Sequence, residues 1–391
     1  MNTDGHRYAS WLVIGAACLL AQGVGERPVG NPLEGVTAAE FERFRLGLED
    51  FTEVETAGDG LGPAFNATGC SACHNIPAIG GSSTITEVRA GYRDEEGRFQ
   101  ELAGGTLFHL FSLPPHACQP RIPPEANVIA RRTSIPLFGI GLVEAIPDET
   151  IVALEDPEDR NQDGIRGRAA RIRDVATGRQ RVGRFGWKAQ QATLLAFAAD
   201  AYRNEMGITN DLFPEEVALG IEPEALRKCD PASDPEDVRD RATGLRGIDN
   251  FEAFMKFLAP VGRAPVDEQA RRGEQVFRQT GCAACHQPEL RTGPSPNPLF
   301  DRRALALYSD LLLHDIGTGD GIEQEAATGE EIRTPALWGL RLRRPLLHDG
   351  SAATPEEAIQ RHDNEGARAR ERFLALPAAD REALLAFLGT L

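Results

Sequence analysis

The sequence Cys70-Ser71-Ala72-Cys73-His74 recurs later in the chain as Cys282-Ala283-Ala284-Cys285-His286. Both follow the pattern CxxCH. Two thiols at this spacing can add to the two vinyl groups of one haem, and the adjoining histidine can then reach the iron. A single motif could instead be a redox dithiol or half of a zinc site, but no further ligand pair lies near either one. The two motifs therefore predict two covalently bound c-type haems, with His74 and His286 as iron ligands.

The repeat extends beyond the motifs, in the same order in both halves. The matching segments are FxxTGCxACH at 65–74 and 277–286, LFGxxL at 137–142 and LWGxxL at 337–342, and PDExI at 147–151 and PEExI at 355–359. Such ordered self-similarity indicates two homologous haem domains. We assign residues 24–262 to an N-terminal haem domain with an insertion, and residues 263–391 to a C-terminal cytochrome c domain.

Helical periodicity precedes each motif, and strand signals are few. Thr354 followed by Pro355 and two acids is a typical helix start. The predicted helices are 38–53, 187–206, 247–258, 267–280 and 378–388, with a further one starting at 355. We therefore expect a mainly α fold: two cytochrome c-like haem domains with long Pro- and Gly-rich loops and an insertion in the N-terminal half.

The N-terminal residues differ in character from the rest. Residues 11–21 form an apolar run that is too short to span a bilayer comfortably and is typical of a signal peptide, which we assign to residues 1–23. This predicts a periplasmic protein. The alternatives are cleavage before Cys18, which would give a lipid-anchored form, and an uncleaved anchor. No later stretch is apolar enough to cross a membrane.

The formal charge of −17 over 391 residues makes nucleic acid and anionic membrane surfaces poor partners. A small electron-donor protein, a cytochrome or a cupredoxin, fits a redox role better. Two cysteines, Cys118 and Cys229, lie outside the motifs. In an oxidising compartment they could form a disulfide, and the alternative is two unrelated buried thiols.

The two halves differ where a sixth iron ligand would come from. Counting from the Pro-acid-Glu helix start, His362 in the C-terminal half corresponds to Leu154 in the N-terminal half, and leucine cannot bind iron. The C-terminal haem would then have two histidine ligands and the N-terminal haem an open position. The alternatives for His362 are a solvated helix histidine, or His348 as the ligand. His314 could be a buried hydrogen-bonding residue, and His109 or His116 could be a switchable ligand of the first haem.

Two residues are candidates for catalysis. Glu144 lies in an apolar run, where a carboxyl group with a raised pKa could move a proton between peroxide oxygens; helix or turn capping is the alternative. Trp187, like Trp338, could carry an electron between haems or simply pack. The spacing Asp159-x-Asn161-x-Asp163-Gly resembles the opening of an EF-hand calcium loop, but its closing glutamate is missing. Calcium and a plain turn both remain open there.

Several segments together resemble the di-haem oxidoreductase family, which is related to bacterial dihaem cytochrome c peroxidases and to the MauG enzymes. The segments are PLFG at 136–139, GRFGWK at 183–188, MGIT at 206–209, DLLLHD at 310–315, RTPALWGL at 333–340, LHDGS at 347–351 and PEEAI at 355–359 followed by His362. The resemblance runs from about Gly62 to Leu391. It implies a catalytic N-terminal haem and an electron-relaying C-terminal haem, and the position of His362 is an iron ligand in these relatives, Met in the peroxidases and Tyr in MauG.

We therefore expect a periplasmic dihaem oxidoreductase that reduces hydrogen peroxide at the N-terminal haem with electrons relayed through the C-terminal haem. Related enzyme variants would oxidise a partner protein, as MauG does, or activate dioxygen. A non-enzymatic dihaem electron carrier is the competing class, and a dithiol oxidoreductase without haem is a third.

Overall fold

The computed structural model describes residues 28–230 and 238–391. The predicted signal peptide and Cys18 lie outside the described residues. Among the described residues, no helix is both long enough and apolar enough to cross a membrane.

The helices follow the chain in this order: α1 (Ala38–Thr52), α2 (Ile140–Glu144), α3 (Asp148–Val152), α4 (Leu194–Met206), α5 (Pro223–Leu226), α6 (Gly247–Phe257), α7 (Glu268–Gln279), α8 (Pro355–Gln360), α9 (Ala367–Leu374) and α10 (Ala378–Leu388). Short 3-10 turns form at Cys70–Ala72, Cys282–Ala284, Leu340–Leu342 and Asn364–Gly366.

The strands are β1 (Ala64–Phe65), β2 (Thr86–Arg93), β3 (Phe99–Gln100), β4 (Leu107–Phe108), β5 (Phe111–Ser112), β6 (Val128–Thr133), β7 (Arg171–Arg173), β8 (Gln180–Val182), β9 (Leu290–Arg291), β10 (Ala304–Leu305), β11 (Leu313–His314) and β12 (Ile332–Arg333). In the largest sheet, β2 pairs antiparallel with β3, β4 and β6.

The expectation of a mainly α fold is wrong, because the structure is only 29% helical and 14% strand. The main omission was the sheet around β2. Its sequence TEVRAGYR alternates along the strand, but charged side chains occupy one set of alternate positions. Val88, Ala90 and Tyr92 take the other positions, so the alternation of a strand is present in the sequence but was overlooked. The predicted helix over 187–206 starts only at Leu194, where the side chain of Thr193 caps it.

The same helix pairing occurs in both halves, and a glycine permits the close contact in each. α1 packs against α6 at Gly47, where an added Cβ would lie 2.2 Å from the carbonyl oxygen of Asn250. α7 packs against α10 at Gly273, where a Cβ would lie 1.9 Å from the carbonyl oxygen of Ala383. Backbones can approach this closely only where no side chain intervenes. Each pair supports the CxxCH turn that follows its first helix.

Each helix pair has its own apolar core. The larger core includes Phe44, Phe51, Phe251 and Phe254 of the first pair, and the smaller one is built around Phe277, Phe373 and Phe387. Seven residues beyond position 262 also belong to the larger core: Leu290, Leu299, Phe300, Leu305, Leu307, Leu311 and Leu312. The halves are thus packed together over a broad apolar contact. The division at residue 262 stays a prediction.

A disulfide joins Cys118 to Cys229, with Cα atoms 6.1 Å apart. It lies among buried Ala64, Ala218 and Leu226. The four motif cysteines are free thiols. The bond therefore ties the chain after β5 to the segment after α5, on the N-terminal half.

Candidate functional site

The C-terminal motif opens onto a cavity of about 1300 Å³, including the space at its open side. Cys282, Cys285 and His286 line it together. The motif turn begins directly after α7, and Nδ1 of His286 lies 3.1 Å from the carbonyl oxygen of Tyr308. A carbonyl only accepts, so Nδ1 carries the proton and Nε2 is the free ligand atom. Such a hydrogen bond also fixes the orientation of a ligating imidazole.

His362 lines the same cavity as His286. Helix α8 ends at Gln360, so His362 lies just beyond it, and its predicted position within the helix is wrong. The turn is held by the His362 ring itself, whose Nδ1 donates to the carbonyl oxygen of Ala358 at 2.7 Å. Nε2 is again left free. Burial, and then the charge of His362, lower the pKa of His286 to about 4.

Two further histidines line this cavity. His348 is buried, its Nδ1 has no hydrogen-bond partner among the described residues, and burial lowers its pKa. His348 is therefore a competing ligand for the same iron. His314 is instead held on both sides, with Nε2 2.9 Å from Asp310 and Nδ1 2.7 Å from Glu365. Burial alone would lower the pKa of His314, but Asp310 raises it well above its usual value. The ring is therefore a protonated imidazolium held between two carboxylates.

Sγ of Cys285 and ligand atoms of Asp310 and His314 lie within 4.8 Å of one another, a grouping that could in principle hold a metal ion. Both ring nitrogens of His314 are already used by carboxylates. A protonated imidazole has no free lone pair, so this group is better explained as an ion-paired support behind Cys285.

The N-terminal motif opens onto a second cavity, of about 1360 Å³ including its open side, lined by Cys70, Cys73 and His74. Nδ1 of His74 donates to the carbonyl oxygen of Gly81 at 2.9 Å. This repeats the arrangement at His286 and again leaves Nε2 free. Phe51 of α1 lies against the imidazole, with ring centres 6.1 Å apart, and helps to orient it.

His74 is the only histidine lining this cavity among the described residues. His109 is buried outside the cavity lining, with Nε2 donating to Asn204 O at 2.6 Å, and burial lowers its pKa to about 4. His116 also lies outside the cavity lining, with Nδ1 3.1 Å from Oγ of Ser112. Met206 and Met255 do line the cavity. The two cavities therefore differ in their potential iron ligands.

The N-terminal cavity also contains a buried pair of carboxyl groups. Glu87 on β2 and Glu205 on α4 both line it and share a side-chain hydrogen bond. Burial, and then the charge of Glu87, raise the pKa of Glu205 to about 8. Burial would also raise the pKa of Glu87, but Arg89, 2.7 Å away, lowers it. Glu205 is therefore the protonated partner near neutral pH, and it accepts a hydrogen bond from Asn66 at 3.0 Å.

Trp187 lines both cavities. Its Nε1 donates to the carbonyl oxygen of Thr133 at 2.8 Å, which fixes the indole in place. Trp338 lines only a smaller apolar cavity of about 890 Å³ between the halves. The structure thus distinguishes the two tryptophans that the sequence treats alike.

Glu144 does not line either motif cavity. Its Oε1 accepts a hydrogen bond of 2.7 Å from the backbone N–H of Leu194, at the first residue of α4. Burial raises its pKa, as the apolar sequence around it predicts. The contact is that of a helix-capping carboxylate. Its catalytic role stays a prediction.

The Asp159, Asn161 and Asp163 loop is closed by its own hydrogen bonds. Oδ1 of Asp159 accepts from Gly164 N, and Oδ1 of Asp163 accepts from Ile165 N. Asn161 bonds Asp163 in both directions. The bonds from Asp163 N to Asn161 and from Ile165 N to Asp163 are those of Asx turns, which need no ion. Calcium binding stays a prediction.

Sequence reasoning missed Glu87, Glu205 and Arg343. A signal existed for Glu87 and Arg89, because charged residues at alternate positions of a strand must share one face. Glu205 carries no local signal, since a glutamate near a helix end is usually solvated. Its burial depends on Glu87 and Asn66, which lie far away in the sequence and contact its carboxyl group.

The residues present fit a haem at each motif. In each cavity two free thiols and an imidazole with a fixed Nδ1 proton surround a space of ligand size. The fold and these sites define a two-centre redox protein. The sequence profile of the family described as "Di-haem oxidoreductase, putative peroxidase" matches residues 119–391, and the chain belongs to this family.

Solved structures give distant likenesses. Hydrazine synthase from Kuenenia stuttgartiensis, in a crystal pressurised with xenon, shares 14% identity at a TM-score of 0.43 and covers 99% of this chain and 100% of that chain. A MauG-like protein associated with microbial copper homeostasis shares 16% sequence identity at a TM-score of 0.41, and the match covers 94% of this chain and 91% of that chain. A variant of the diheme peroxidase BthA from Burkholderia thailandensis shares 16% sequence identity at a TM-score of 0.43, and the match covers 89% of this chain and 85% of that chain. A comparison with curated protein sequences gives no match.

Proposed function

We propose that the chain is an exported oxidoreductase that holds one haem covalently at each CxxCH motif and reduces hydrogen peroxide in the N-terminal cavity. One observation carries the proposal. His286 shares its cavity with His362, whereas His74 is the only histidine lining its own cavity among the described residues. A haem held at His74 would have no second histidine ligand and would supply a redox-active iron for a small molecule, and one held at His286 and His362 would supply an electron carrier.

Peroxide reduction consumes two electrons and two protons and yields two waters, so the cavity has to deliver protons. A proton must also move between the two oxygens as their bond breaks. Glu205 holds such a proton near neutral pH, because burial and the charge of Glu87 keep it there. Asn66 fixes the Glu205 carboxyl group, and Arg89 fixes Glu87. We assign Glu205 as proton donor and Glu87 as the group that takes the proton back from solvent.

Electrons have to reach the N-terminal cavity from outside. Trp187 supports a route between the two cavities, since its indole lines both. A small donor protein, a cytochrome or a cupredoxin, would reduce the C-terminal haem first. The formal charge of −17 favours a donor with a basic docking face.

Export to the periplasm is part of the proposal. The apolar run at residues 11–21 and the disulfide between Cys118 and Cys229 both support it, since disulfides persist in oxidising compartments.

The first test uses protein matured by a c-type haem-attachment system. Covalent haem is measured after denaturation, and the spin state of each ferric haem by EPR in the oxidised and half-reduced forms. We expect two covalent haems, one low-spin and one high-spin or made high-spin by half-reduction, and peroxide turnover with a reduced cytochrome. Two haems that stay low-spin in both forms, without turnover, would identify an electron carrier instead. Peroxide consumption that requires a protein partner, which is oxidised while reduced cytochrome is not, would identify a MauG-like reaction.

A further inference from the structure

Two buried guanidinium groups in the C-terminal cavity lack a negative partner. Arg333 and Arg343 both line this cavity, with exposed fractions of only 5% and 8%. Arg333 donates to carbonyl oxygens alone, those of Gly186 at 2.8 Å and Thr334 at 3.0 Å. Nε and Nη2 of Arg343 have no hydrogen-bond partner among the described residues. No carboxylate of the described part of the chain forms an ion pair with either side chain.

The two positive charges also oppose each other. Burial, and then Arg343, lower the pKa of Arg333 to about 10, and burial lowers the pKa of Arg343 to about 10. Both values lie well above neutral, so both groups are charged. An isolated buried charge is strongly unfavourable, and two that repel each other are more so.

Other buried cations of this chain are paired. Arg132 lies 2.7 Å from Asp320, and Lys188 lies 3.1 Å from the same carboxylate. Arg184 pairs with Asp148. Asp310 is the carboxylate that raises the pKa of Arg333 electrostatically, but it is hydrogen-bonded to His314 instead. The unpaired state of Arg333 and Arg343 is therefore specific to this cavity.

We infer that Arg333 and Arg343 form a binding site for the two carboxylates of a dianion, and that this dianion is the propionate pair of the haem at the C-terminal motif. The same cavity is lined by Cys282, Cys285 and His286, and a haem carries two propionates. A guanidinium group can bind a carboxylate through two parallel hydrogen bonds, which a lysine cannot do. The inference rests on the proposed haem at this motif, but not on peroxide reduction.

Arg343 gives the site a second role. Its guanidinium carbon lies 5.0 Å from the centre of the Trp187 ring, over the indole that lines both cavities. A propionate held by Arg343 would therefore be joined through one side chain to Trp187. Arg343 is therefore a positioning residue. It would fix the edge of the haem relative to the indole of Trp187 and partly neutralise the charge of the propionate.

The test compares haem-loaded Arg343→Gln, Arg333→Gln and Arg343→Lys with the wild type. Arg344→Gln is the matched control, because Arg344 is the exposed neighbour. The readouts are the midpoint potential of the low-spin haem and the propionate bending band in its resonance Raman spectrum. Loss of a positive charge beside the haem should lower the potential and shift the band in both glutamine variants, with no change in Arg344→Gln. Arg343→Lys keeps the charge and loses the paired hydrogen bonds, so the band shifts while the potential moves little.

Unchanged potentials and bands in all three variants would overturn the inference. A free dianion is the other source of two negative charges, so inorganic phosphate is titrated into the haem-loaded wild type. A saturable shift in potential that Arg343→Gln abolishes would assign the site to a free anion and overturn the propionate assignment. None of these readouts uses peroxide, so they hold even for a protein that does not turn peroxide over.

Discussion

The indole of Trp187 and the imidazole of His348 meet edge to face, with ring centres 6.1 Å apart and planes at 75°. His348 lines the C-terminal cavity, and Trp187 lines both cavities. The contact therefore places an aromatic pair on the boundary between the two predicted haem sites. A substitution at Trp187 can test whether electrons pass through this pair.

Replacing Trp187 with Phe should slow electron transfer between the haems by at least roughly tenfold, equivalent to ~1.4 kcal/mol of barrier. Phenylalanine keeps an aromatic ring beside His348 but is harder to oxidise and cannot donate to Thr133 O. The rate is followed by stopped-flow absorbance after peroxide is mixed with the fully reduced protein. Trp338→Phe is the control, because Trp338 lines only the smaller apolar cavity. Equal rates in both variants would remove Trp187 from the route.

Replacing His362 with Met should raise the midpoint potential of the C-terminal haem while it stays low-spin, because a thioether ligand favours ferrous iron. His362→Ala should leave that haem high-spin, and added imidazole should restore the low-spin EPR signal. His348→Ala is the matched comparison, since both rings line the cavity. A high-spin signal in His348→Ala alone would transfer the ligand role to His348.

Gly366→Ala should weaken the same ligation without touching a ligand atom. An added Cβ would lie 2.9 Å from Cβ of His362 and 3.2 Å from its Cδ2, so the imidazole has to shift. We expect a partial high-spin signal that grows with temperature. Gly389→Ala near the C-terminus is the control, since its nearest neighbour lies at 3.3 Å. An unchanged spectrum in Gly366→Ala would mean that His362 is not held in this position by an iron.

Replacing Glu205 with Gln should lower peroxide turnover by about 10²–10⁴-fold, the usual contribution of a positioned acid or base. In the wild type, turnover should fall as pH rises through about 8, the pKa of Glu205, because the proton is then lost. Glu205→Gln should lose this alkaline limb. Glu144→Gln tests the competing assignment: a larger loss in that variant, with the limb retained in Glu205→Gln, would give the proton-transfer role to Glu144.

Replacing both Cys118 and Cys229 with Ser should lower the free energy of unfolding by about 2–5 kcal/mol, because the bond closes a long loop in the unfolded chain. The two residues are 111 positions apart. Chemical denaturation of the haem-loaded protein measures the change, and the haem spectra should stay as in the wild type. An equal stability in the double variant would show that the bond does not form in the protein as produced.

The sequence predicted the parts of the fold that depend on local pattern. α10 was predicted at the observed residues, and α1, α6 and α7 within one residue at each end. The repeat singled out position 362 as a candidate ligand, although α8 ends before it, and its ligand role stays a prediction. The β2 strand was overlooked although Glu87 and Arg89 alternate with apolar residues, whereas the cavity that these two charged side chains line could not be predicted locally. The pairing of Glu205 with Glu87, and the isolation of Arg343, depend on which distant segments meet, and no local pattern reports that.

The burial of the motif thiols bears on how the protein is made. Burial raises the pKa of Cys70 to about 12 and that of Cys73 to about 11, so both thiols stay protonated near neutral pH. Six thiols outside residues 1–23 would meet an oxidising compartment, where they could pair wrongly. For the covalent haems proposed above, we therefore expect haem addition to precede final folding, on a chain kept extended and reduced. Biogenesis would then require a delivery apparatus acting at both motifs before the Cys118–Cys229 bond locks the N-terminal half.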